Sequence, residues 1–275
     1  DTFTQYSWAN EWTPWAVGGV LAVLMAGSIL GGTRRLTDVT GFLVPIMAII
    51  YLGVGAVVIV FNYHNIPAMF SAIFAGAFDF QAIFGGFAGS AMMYGIKRGL
   101  YSNEAGVGSA PNAAASASVS HPAKQGLVQM LSVFIDTMVI CTLTAFVVLS
   151  SGVGSDGGVT GAPLVKDAMA TVLGQPVAQV FISVALFLFA FTTLVGNFYY
   201  AEVNFRFLLR NITMEQWMLT AFRLVAAALV FCGALLKFEV AWSLGDILMG
   251  LMALINLPVI VILGRVAVRC ANDYT

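Results

Sequence analysis

Long apolar stretches, separated by short polar breaks, make up most of this chain. Seven of them are near or above the roughly 20 residues that a helix needs to cross a bilayer, and they cover residues 14–30, 40–61, 81–119, 125–149, 176–209, 216–236 and 240–263. The runs are continuous and do not alternate with polar residues, which is typical of membrane helices and not of membrane β-barrels. The pattern predicts an all-α integral membrane protein with about seven transmembrane helices.

Glycine, proline and polar residues indicate where these helices begin and end. Pro14 opens the first helix, and Gly31-Gly32 closes it before two arginines. Pro45 is expected near the start of the second helix, where a missing backbone N–H is harmless. Three shorter pieces lie between the long stretches: an interfacial segment at 68–80, a water-exposed loop at 150–161 and a short helix at 163–173.

The third stretch departs from this pattern, because residues 95–122 carry polar side chains and helix breakers. Its core, residues 98–108, has the sequence RGLYSNEAGVG. Each interior glycine weakens a helix by roughly 1 kcal/mol, and Ser and Asn compete for backbone hydrogen bonds. We expect a half-helix up to about Gly99, an unwound turn, and a second half-helix from about Gly106 to Val119. The alternative is one long helix whose small residues serve close packing.

Unwound backbone at membrane depth is expensive unless it lines a cavity, which favours a functional break. In transporters such backbone exposes carbonyls and amides to a substrate or ion, and N–H groups at a new helix start suit a carboxylate. Glu104 has three open roles: counter-ion to Arg98, structural hydrogen-bond acceptor, or direct substrate contact. Tyr101 fits either the protein core or a lid over a bound small molecule.

The fifth stretch carries a second group of polar residues. The hydroxyls of Thr192 and Thr193 either bond back to the preceding turn or supply oxygen ligands to a sodium ion. Asn197 and Glu202 are five positions apart, and therefore about 140° apart around a helix, so they need not share a partner.

Composition narrows the function classes. The chain is 60% hydrophobic and 9% charged, whereas soluble domains average about 45–50% and about 25%. A net charge of −1 without a basic stripe argues against nucleic-acid binding, and three widely separated cysteines predict neither a disulfide framework nor a metal site.

Without a nucleophile–base pair or a phosphate-binding loop, we expect neither an enzyme nor an ATP-driven pump. The single acids Asp136 and Asp246 are expected to be structural more often than proton carriers.

Basic residues set the predicted orientation. If the spans alternate sides, only Lys166 and Lys237 fall clearly on one face, and the other face collects Arg34, Arg35, Lys124, Arg206, Arg210, Arg265 and Arg269. Because basic loops stay in the cytoplasm, we place the C-terminus in the cytoplasm. The first residues are typical of a loop cut open and not of a signal peptide, so we expect the chain to be part of a longer protein.

Five blocks of this sequence resemble the alanine/glycine:cation symporter family, the sodium:alanine symporters. They are RGLYSNEAGVGSAPNAAA at 98–115, HPAKQGLVQM at 121–130, FIDTMVICTLTA at 134–145, FAFTTLVGNFYYAE at 189–202 and WSLGDILMGLMALINLP at 242–258. These blocks cover most of the chain in the expected order, so the resemblance is specific and does not depend on a single motif.

The resemblance implies a LeuT-type fold, in which two inverted repeats of five helices each begin with a broken helix. Residues 1–275 would form a single transmembrane transporter domain. Residues 14–61 would hold the last two helices of a truncated first repeat, and residues 81–266 would form the complete second repeat. The broken helix of the first repeat, with its sodium and carboxylate contacts, would be missing from this chain.

The resemblance also implies a substrate site at the break. Tyr101 stands where the family usually has Phe, lining the substrate pocket. The backbone of Asn103, Glu104, Ala105 and Gly106 matches the family motif and would face the substrate.

Further site residues follow from the same resemblance. Thr192 and Thr193 match a hydroxyl pair that would complete a sodium site with the missing helix. Asn197 occupies a position where some members carry Trp, near the side chain of the bound amino acid, which leaves the preferred substrate size open.

The function implied by the resemblance is sodium-coupled symport of small neutral amino acids, alanine or glycine, across the bacterial inner membrane. Its partners would be the amino acid, the sodium ion and the lipid bilayer, with no cofactor besides the coupling ion and no nucleic acid. One alternative is a proton-coupled carrier, with Glu104, Asp136 or Glu202 as the proton site. A channel or a sensor built on the same helices is a further alternative.

Overall fold

The described part of the chain is built from helices. The computed structural model describes residues 6, 9–30, 32–80, 90–104, 106–154, 159–211 and 216–274. Over these residues it contains no strand and eleven α-helices: α1 (Thr13–Leu30), α2 (Gly32–Phe61), α3 (Ile66–Ala77), α4 (Ala91–Ser102), α5 (Ser109–Ala115), α6 (Pro122–Phe134), α7 (Thr142–Ser150), α8 (Ala162–Leu173), α9 (Gln175–Leu208), α10 (Gln216–Ala234) and α11 (Phe238–Tyr274). A 3-10 turn, Tyr63–Asn65, precedes α3, and a π-helical turn, Ile135–Cys141, joins α6 to α7.

Several of these helices match the predicted membrane spans. Among the described residues, five are long and apolar enough to cross a membrane: Thr40–Phe61, Pro122–Ser150, Gln175–Leu208, Gln216–Ala234 and Glu239–Tyr274. Thr13–Ile29 is apolar but shorter. The stretch 81–119 lies outside the described residues over 81–89, and its described part forms two separate helices. The helical class is confirmed for the described residues, and the number of seven spans stays a prediction.

Two helices extend beyond their apolar stretches. Helix α2 begins at Gly32 and holds Pro45 in its interior, so the prediction that Pro45 lies near a helix start is wrong. Helix α11 runs on to Tyr274 and contains Pro258, although its apolar stretch ends near residue 263. An apolar run marks only the part of a helix that suits lipid. The polar residues beside both runs include no proline, so the two helices continue through them.

The chain divides into two compact units, each described by itself. The first unit comprises residues 1–54 and 155–244. Helix α1 packs against α9 and α10, and α8 packs against α9. Side chains of α1 and α9 form the core of this unit: Met25, Ile29, Phe191, Val195 and Phe198. These residues recur every three or four positions, which is the apolar stripe expected of a helix packed on one face.

Small residues let α1 and α10 approach closely at one point. A Cβ atom built on Gly18 would lie 2.7 Å from the Cβ atom of Ala234. One turn away, the rings of Trp15 and Phe231 meet edge to face with their centres 5.8 Å apart. Lipid gives helices no hydrophobic drive to associate, so close packing of this kind stabilises membrane helix pairs.

The second unit comprises residues 55–154 and 245–275. Helix α3 packs against α4 and α7, α5 packs against α6, and α4 packs against the π-helical turn. At the start of α3, Asn65 Nδ2 donates to the carbonyl of Ser150 over 2.7 Å, and the rings of Phe70 and Phe146 meet edge to face. These contacts join α3 to α7 beside the broken stretch.

Large apolar side chains cover much of the described surface. On α11, Ile255 is 75% exposed and Val261 is 79% exposed, and none of the residues 239–274 is buried. Soluble proteins rarely expose contiguous apolar surface on this scale, whereas lipid is a suitable solvent for it. The exposed surface therefore agrees with helices that cross a membrane.

We expect Gly18→Leu to destabilise the protein and Gly19→Leu to be tolerated. A side chain at position 18 overlaps α10, and overpacking of this kind costs about 1–3 kcal/mol. A Cβ atom on Gly19 meets no atom within 4 Å, and both substitutions gain the same helix propensity. Melting temperatures of the two variants in detergent measure the difference, and equal values would contradict the close approach of α1 and α10.

Candidate functional site

The predicted helix break is present between α4 and α5. Helix α4 ends at Ser102, with Asn103 as its C-cap, and α5 begins at Ser109 and ends at Ala115. The first half-helix is therefore longer than expected and the second is shorter, since it stops before Val119. The break is confirmed at residues 103–104 and 106–108, within the predicted interval; Ala105 lies outside the described residues.

Left-handed backbone produces this break. Glu104 has φ 48°, Gly106 has φ 79° and Gly108 has φ 101°. A left-handed residue costs roughly 1–2 kcal/mol when it carries a side chain, so glycine suits the two later positions. Glu104 is the one residue with a side chain and a positive φ among the described residues, which marks residues 103–108 as a candidate site.

Side chains within the second unit hold the unwound turn. Asn256 Nδ2 of α11 donates to the carbonyl of Gly106 over 2.9 Å, and a Cβ atom on Gly108 would lie 3.1 Å from the Asn256 side chain. The hydroxyl of Ser109 donates to the Glu104 carboxylate. The Val107 N–H also donates to the Glu104 carbonyl, so the turn is held by a backbone bond of its own and by side chains of α5 and α11.

The end of α4 makes two more contacts, both with the π-helical turn. The Ser102 hydroxyl donates to Asp136 Oδ2 over 2.7 Å, and the Thr137 hydroxyl donates to Asn103 Oδ1. Asp136 thus has the structural role expected of it. A polar side chain in an apolar helix is costly unless it is paired, and these two pairs meet that requirement.

Basic residues of α4 pair with an acid on α11. Lys97 Nζ lies 2.9 Å from Asp246 Oδ2, and Arg98 Nη1 lies 3.3 Å from Asp246 Oδ1. The Arg98 guanidinium also lies 5.7 Å from the ring centre of Tyr101, within the range of a cation–π contact. Of the roles open to Glu104, the described contacts favour that of a hydrogen-bond acceptor, because Arg98 pairs with Asp246.

The hydroxyl pair on α9 has two different environments. Thr192 is buried, and its hydroxyl donates to the carbonyls of Leu188 at 3.0 Å and Phe189 at 3.1 Å, which is the back-bonding alternative. Thr193 is exposed, and so is Asn197. Residues four apart on a helix share a face, so Thr193 and Asn197 present polar groups side by side.

Farther along α9, Glu202 is a buried carboxylate with two cationic partners. It is 1% exposed, accepts from Arg206 Nη2 at 2.7 Å, and accepts from Arg223 Nη2 of α10 at 3.2 Å. The pairing with Arg206 spans one helical turn, which is the favourable i, i+4 spacing. Two guanidinium groups compensate the buried charge.

The predicted site residues fall into two groups. Tyr101, Asn103, Glu104 and Gly106 lie at the break in the second unit, and Ala105 lies outside the described residues. A separate group on α9 belongs to the first unit and consists of Thr192, Thr193 and Asn197.

Several contributors to the break were not among the predicted site residues, and two of them contact predicted site residues from outside the broken stretch. Asn256 contacts the turn directly, and Thr137 bonds to Asn103 from the π-helical turn. The sequence features that could have identified them are a lone Asn and an Asp-Thr pair inside apolar stretches. Such polar residues need a partner at membrane depth. Sequence spacing gave no indication of which partner that would be.

A helical chain with several candidate membrane spans and one helix unwound at polar and glycine residues has the features of a multi-pass membrane transporter. The model of the sodium:alanine symporter family matches residues 2–275, and the chain belongs to this family. The resemblance inferred from the five sequence blocks is thereby confirmed. The family is one of transporters.

Curated relatives extend this finding. The chain is 45% identical over 255 residues to the amino-acid carrier protein AlsT of Bacillus subtilis, covering 93% of this chain and 53% of that protein. It is 39% identical over 258 residues to the sodium/alanine symporter AgcS of Methanococcus maripaludis, covering 93% and 55%. It is 38% identical over 276 residues to the sodium/proton-dependent alanine carrier protein of Bacillus sp. strain PS3, covering 95% and 62%. The chain spans about half the length of these relatives.

We expect Gly106→Ala to destabilise the protein, with Gly99→Ala as the matched control. Gly106 has a positive φ, and a Cβ atom there would lie 2.7 Å from Leu257 Cδ2, so left-handed strain alone costs about 1–2 kcal/mol. Gly99 lies within α4, where a Cβ atom meets nothing within 4 Å, and alanine there gains up to about 1 kcal/mol of helix propensity. Thermal unfolding in detergent separates the two, and a stable Gly106→Ala variant would contradict the left-handed turn.

Proposed function

We propose that the protein is a sodium-coupled symporter of small neutral amino acids, alanine or glycine, in the bacterial inner membrane. The observation that carries the proposal is the unwound turn at residues 103–108 in a chain that belongs to the sodium:alanine symporter family. The relatives AlsT and AgcS, named an amino-acid carrier and a sodium/alanine symporter, support the substrate class and the ion.

The proposed architecture is the LeuT type. The broken pair α4 and α5 is followed by α6–α7, α9, α10 and α11, which makes five long segments when the broken one is counted. This order supports residues 81–266 as the second repeat and residues 14–61 as the last two helices of the first. With seven alternating spans, the positive-inside rule puts the C-terminus in the cytoplasm.

The amino acid is proposed to bind at the turn. Left-handed residues end the helical ladder there, and the Glu104 N–H donates to the Tyr101 carbonyl three residues back. Each carbonyl oxygen of the turn has two lone pairs, so it can still accept from the ammonium group of a zwitterion. The backbone of Asn103, Glu104, Ala105 and Gly106 would supply these contacts, and Tyr101 would cover the solute. The bond from Asn256 to the Gly106 carbonyl fixes the turn before the solute arrives, which reduces the ordering cost of binding.

Sodium is proposed to bind through hydroxyls of α9. The Thr192 hydroxyl donates its one proton to backbone, and its oxygen keeps a lone pair that can accept a cation. Thr193 is exposed and adds a second oxygen. Asn197 lies on the Thr193 face and is proposed to contact the side chain of the transported amino acid.

Proton coupling is the second candidate, because one relative is named a sodium/proton-dependent alanine carrier protein. Three carboxylates could serve as the proton site. Glu202 is held by two arginines and Asp136 by the Ser102 hydroxyl. Glu104 is exposed and accepts from Ser109, which makes it the carboxylate best placed to exchange a proton.

The test is uptake of labelled alanine into vesicles that contain the full-length protein. We expect uptake that requires an inward sodium gradient and saturates with alanine. Alanine uptake driven by a pH gradient without sodium tests proton coupling. Where uptake depends on pH, Glu104→Gln should abolish that dependence.

Three outcomes of this assay would contradict the proposal. Uptake without sodium would remove the cation assignment, and absence of uptake for alanine and glycine would remove the substrate class. Electrical current that does not saturate with solute would favour a channel.

We also expect Thr193→Ala to raise the sodium concentration for half-maximal uptake by about tenfold, because an interaction with a charged group contributes about 1.5 kcal/mol. The control is Thr220→Ala on α10, whose exposed hydroxyl donates to the Gln216 carbonyl of its own turn. Sodium titrations of alanine uptake measure both. Equal sodium dependence in the two variants would contradict the assignment of Thr193.

A further inference from the structure

The π-helical turn Ile135–Cys141 brings two of its residues to one side chain of α4. The Ser102 hydroxyl lies 2.7 Å from Asp136 Oδ2 and 3.3 Å from Cys141 Sγ. Asp136 and Cys141 are five positions apart. In an α-helix such residues point about 140° away from each other, whereas five positions close one hydrogen-bonded turn of a π-helix. The widened turn is therefore what allows both residues to meet Ser102.

The next residue of the π-helical turn makes a similar contact with the next residue of the chain after Ser102. The Thr137 hydroxyl donates to Asn103 Oδ1, so consecutive residues of the π-helical turn meet consecutive residues of the broken helix. Ser102 is the last residue of α4, and Asn103 is its C-cap. The pair of contacts thus lies at the point where the helix ends and the unwound turn begins.

We propose that the π-helical turn is a positioning element, in which Asp136 and Thr137 fix the end of α4 and so set the geometry of residues 103–108. The proposal rests on the proposed function for its consequence in transport, because the turn is where the amino acid is proposed to bind. Thr137 and Asp136 act through Asn103 and Ser102 and do not touch the solute themselves.

The other contacts of the turn do not duplicate this role. Asn256 holds the Gly106 carbonyl, in the middle of the turn, and Ser109 holds Glu104 from the start of α5. Among the side-chain contacts described for the break, those from the π-helical turn are the ones made to Ser102 and Asn103. Backbone bonds from Asn103 and Glu104 to the Gly99 and Tyr101 carbonyls close the last turn of α4, and the contacts from the π-helical turn hold that last turn in place in the unit.

The local cost of the π-helical turn supports a role of this kind. Single π-helical turns interrupt the regular α-helical ladder and occur frequently at functional sites. An Asp and a Thr at membrane depth add a further cost unless they are paired. All of these costs occur together in the seven-residue π-helical turn, whose Asp136, Thr137 and Cys141 contact the end of α4.

The transport test compares Thr137→Val, which removes the hydroxyl, with Thr137→Ser, which keeps it. In the full-length protein, we expect Thr137→Val to raise the KM for alanine uptake about fivefold, the effect of one lost hydrogen bond. The maximal rate should change little, and Thr137→Ser should restore the KM. The control for loss of a threonine hydroxyl is Thr220→Val. An unchanged KM, or a loss of maximal rate and melting temperature without a change in KM, would overturn the proposal.

A second test does not depend on the transported solute. Melting temperatures are measured for Thr137→Val, Asn103→Ala and the double variant, because residues in contact give non-additive losses. We expect the double variant to lose clearly less than the two single losses combined, and additive losses would overturn the proposal. If the wild-type protein takes up neither alanine nor glycine, the proposed function fails, whereas this cycle still decides whether Thr137 fixes the end of α4.

Discussion

The constraint on which this structure depends is that unwound backbone at membrane depth must find its partners within the protein. Lipid offers no hydrogen bonds, and each unsatisfied group costs several kcal/mol. The turn meets this requirement through Asn256 on α11, which donates to the Gly106 carbonyl, and through Asn112 on α5, which donates to the Gly108 carbonyl. Within the turn, the Val107 N–H donates to the Glu104 carbonyl. The break is therefore a supported element and not a frayed helix end.

The charged residues within the apolar helices follow the same rule. Asp246 is shared by Lys97 and Arg98 in the second unit, and Glu202 is shared by Arg206 and Arg223 in the first. A buried pair is seldom worth much to stability, but removing one member leaves an uncompensated charge. Pairing lowers the cost of charged groups within apolar helices. Glu202 is 1% exposed, whereas the basic side chains of Lys97, Arg98 and Arg206 stay 37–46% exposed.

Residue patterns predicted the helical class and the position of the break, because glycines and polar residues within 98–108 act locally on the backbone. They did not predict the helix ends. Pro45 was expected near a helix start but lies inside α2. The prediction failed because an apolar run shows which part of a helix suits lipid and not where the helix begins. They also did not predict that Asn256 would reach Gly106, which is 150 positions away, because partners distant in sequence depend on packing. The exposed Thr193 and buried Thr192 show the same limit.

The central proposal is that residues 103–108 form the part of the protein that binds the amino acid when sodium is present. Amide hydrogen exchange of the full-length protein in detergent, read at these residues with and without alanine and sodium, tests it most directly. We predict slower exchange at 103–108 when both are present, and little change in the packed helices α1 and α10. Exchange at 103–108 that is the same with and without both solutes would contradict the account.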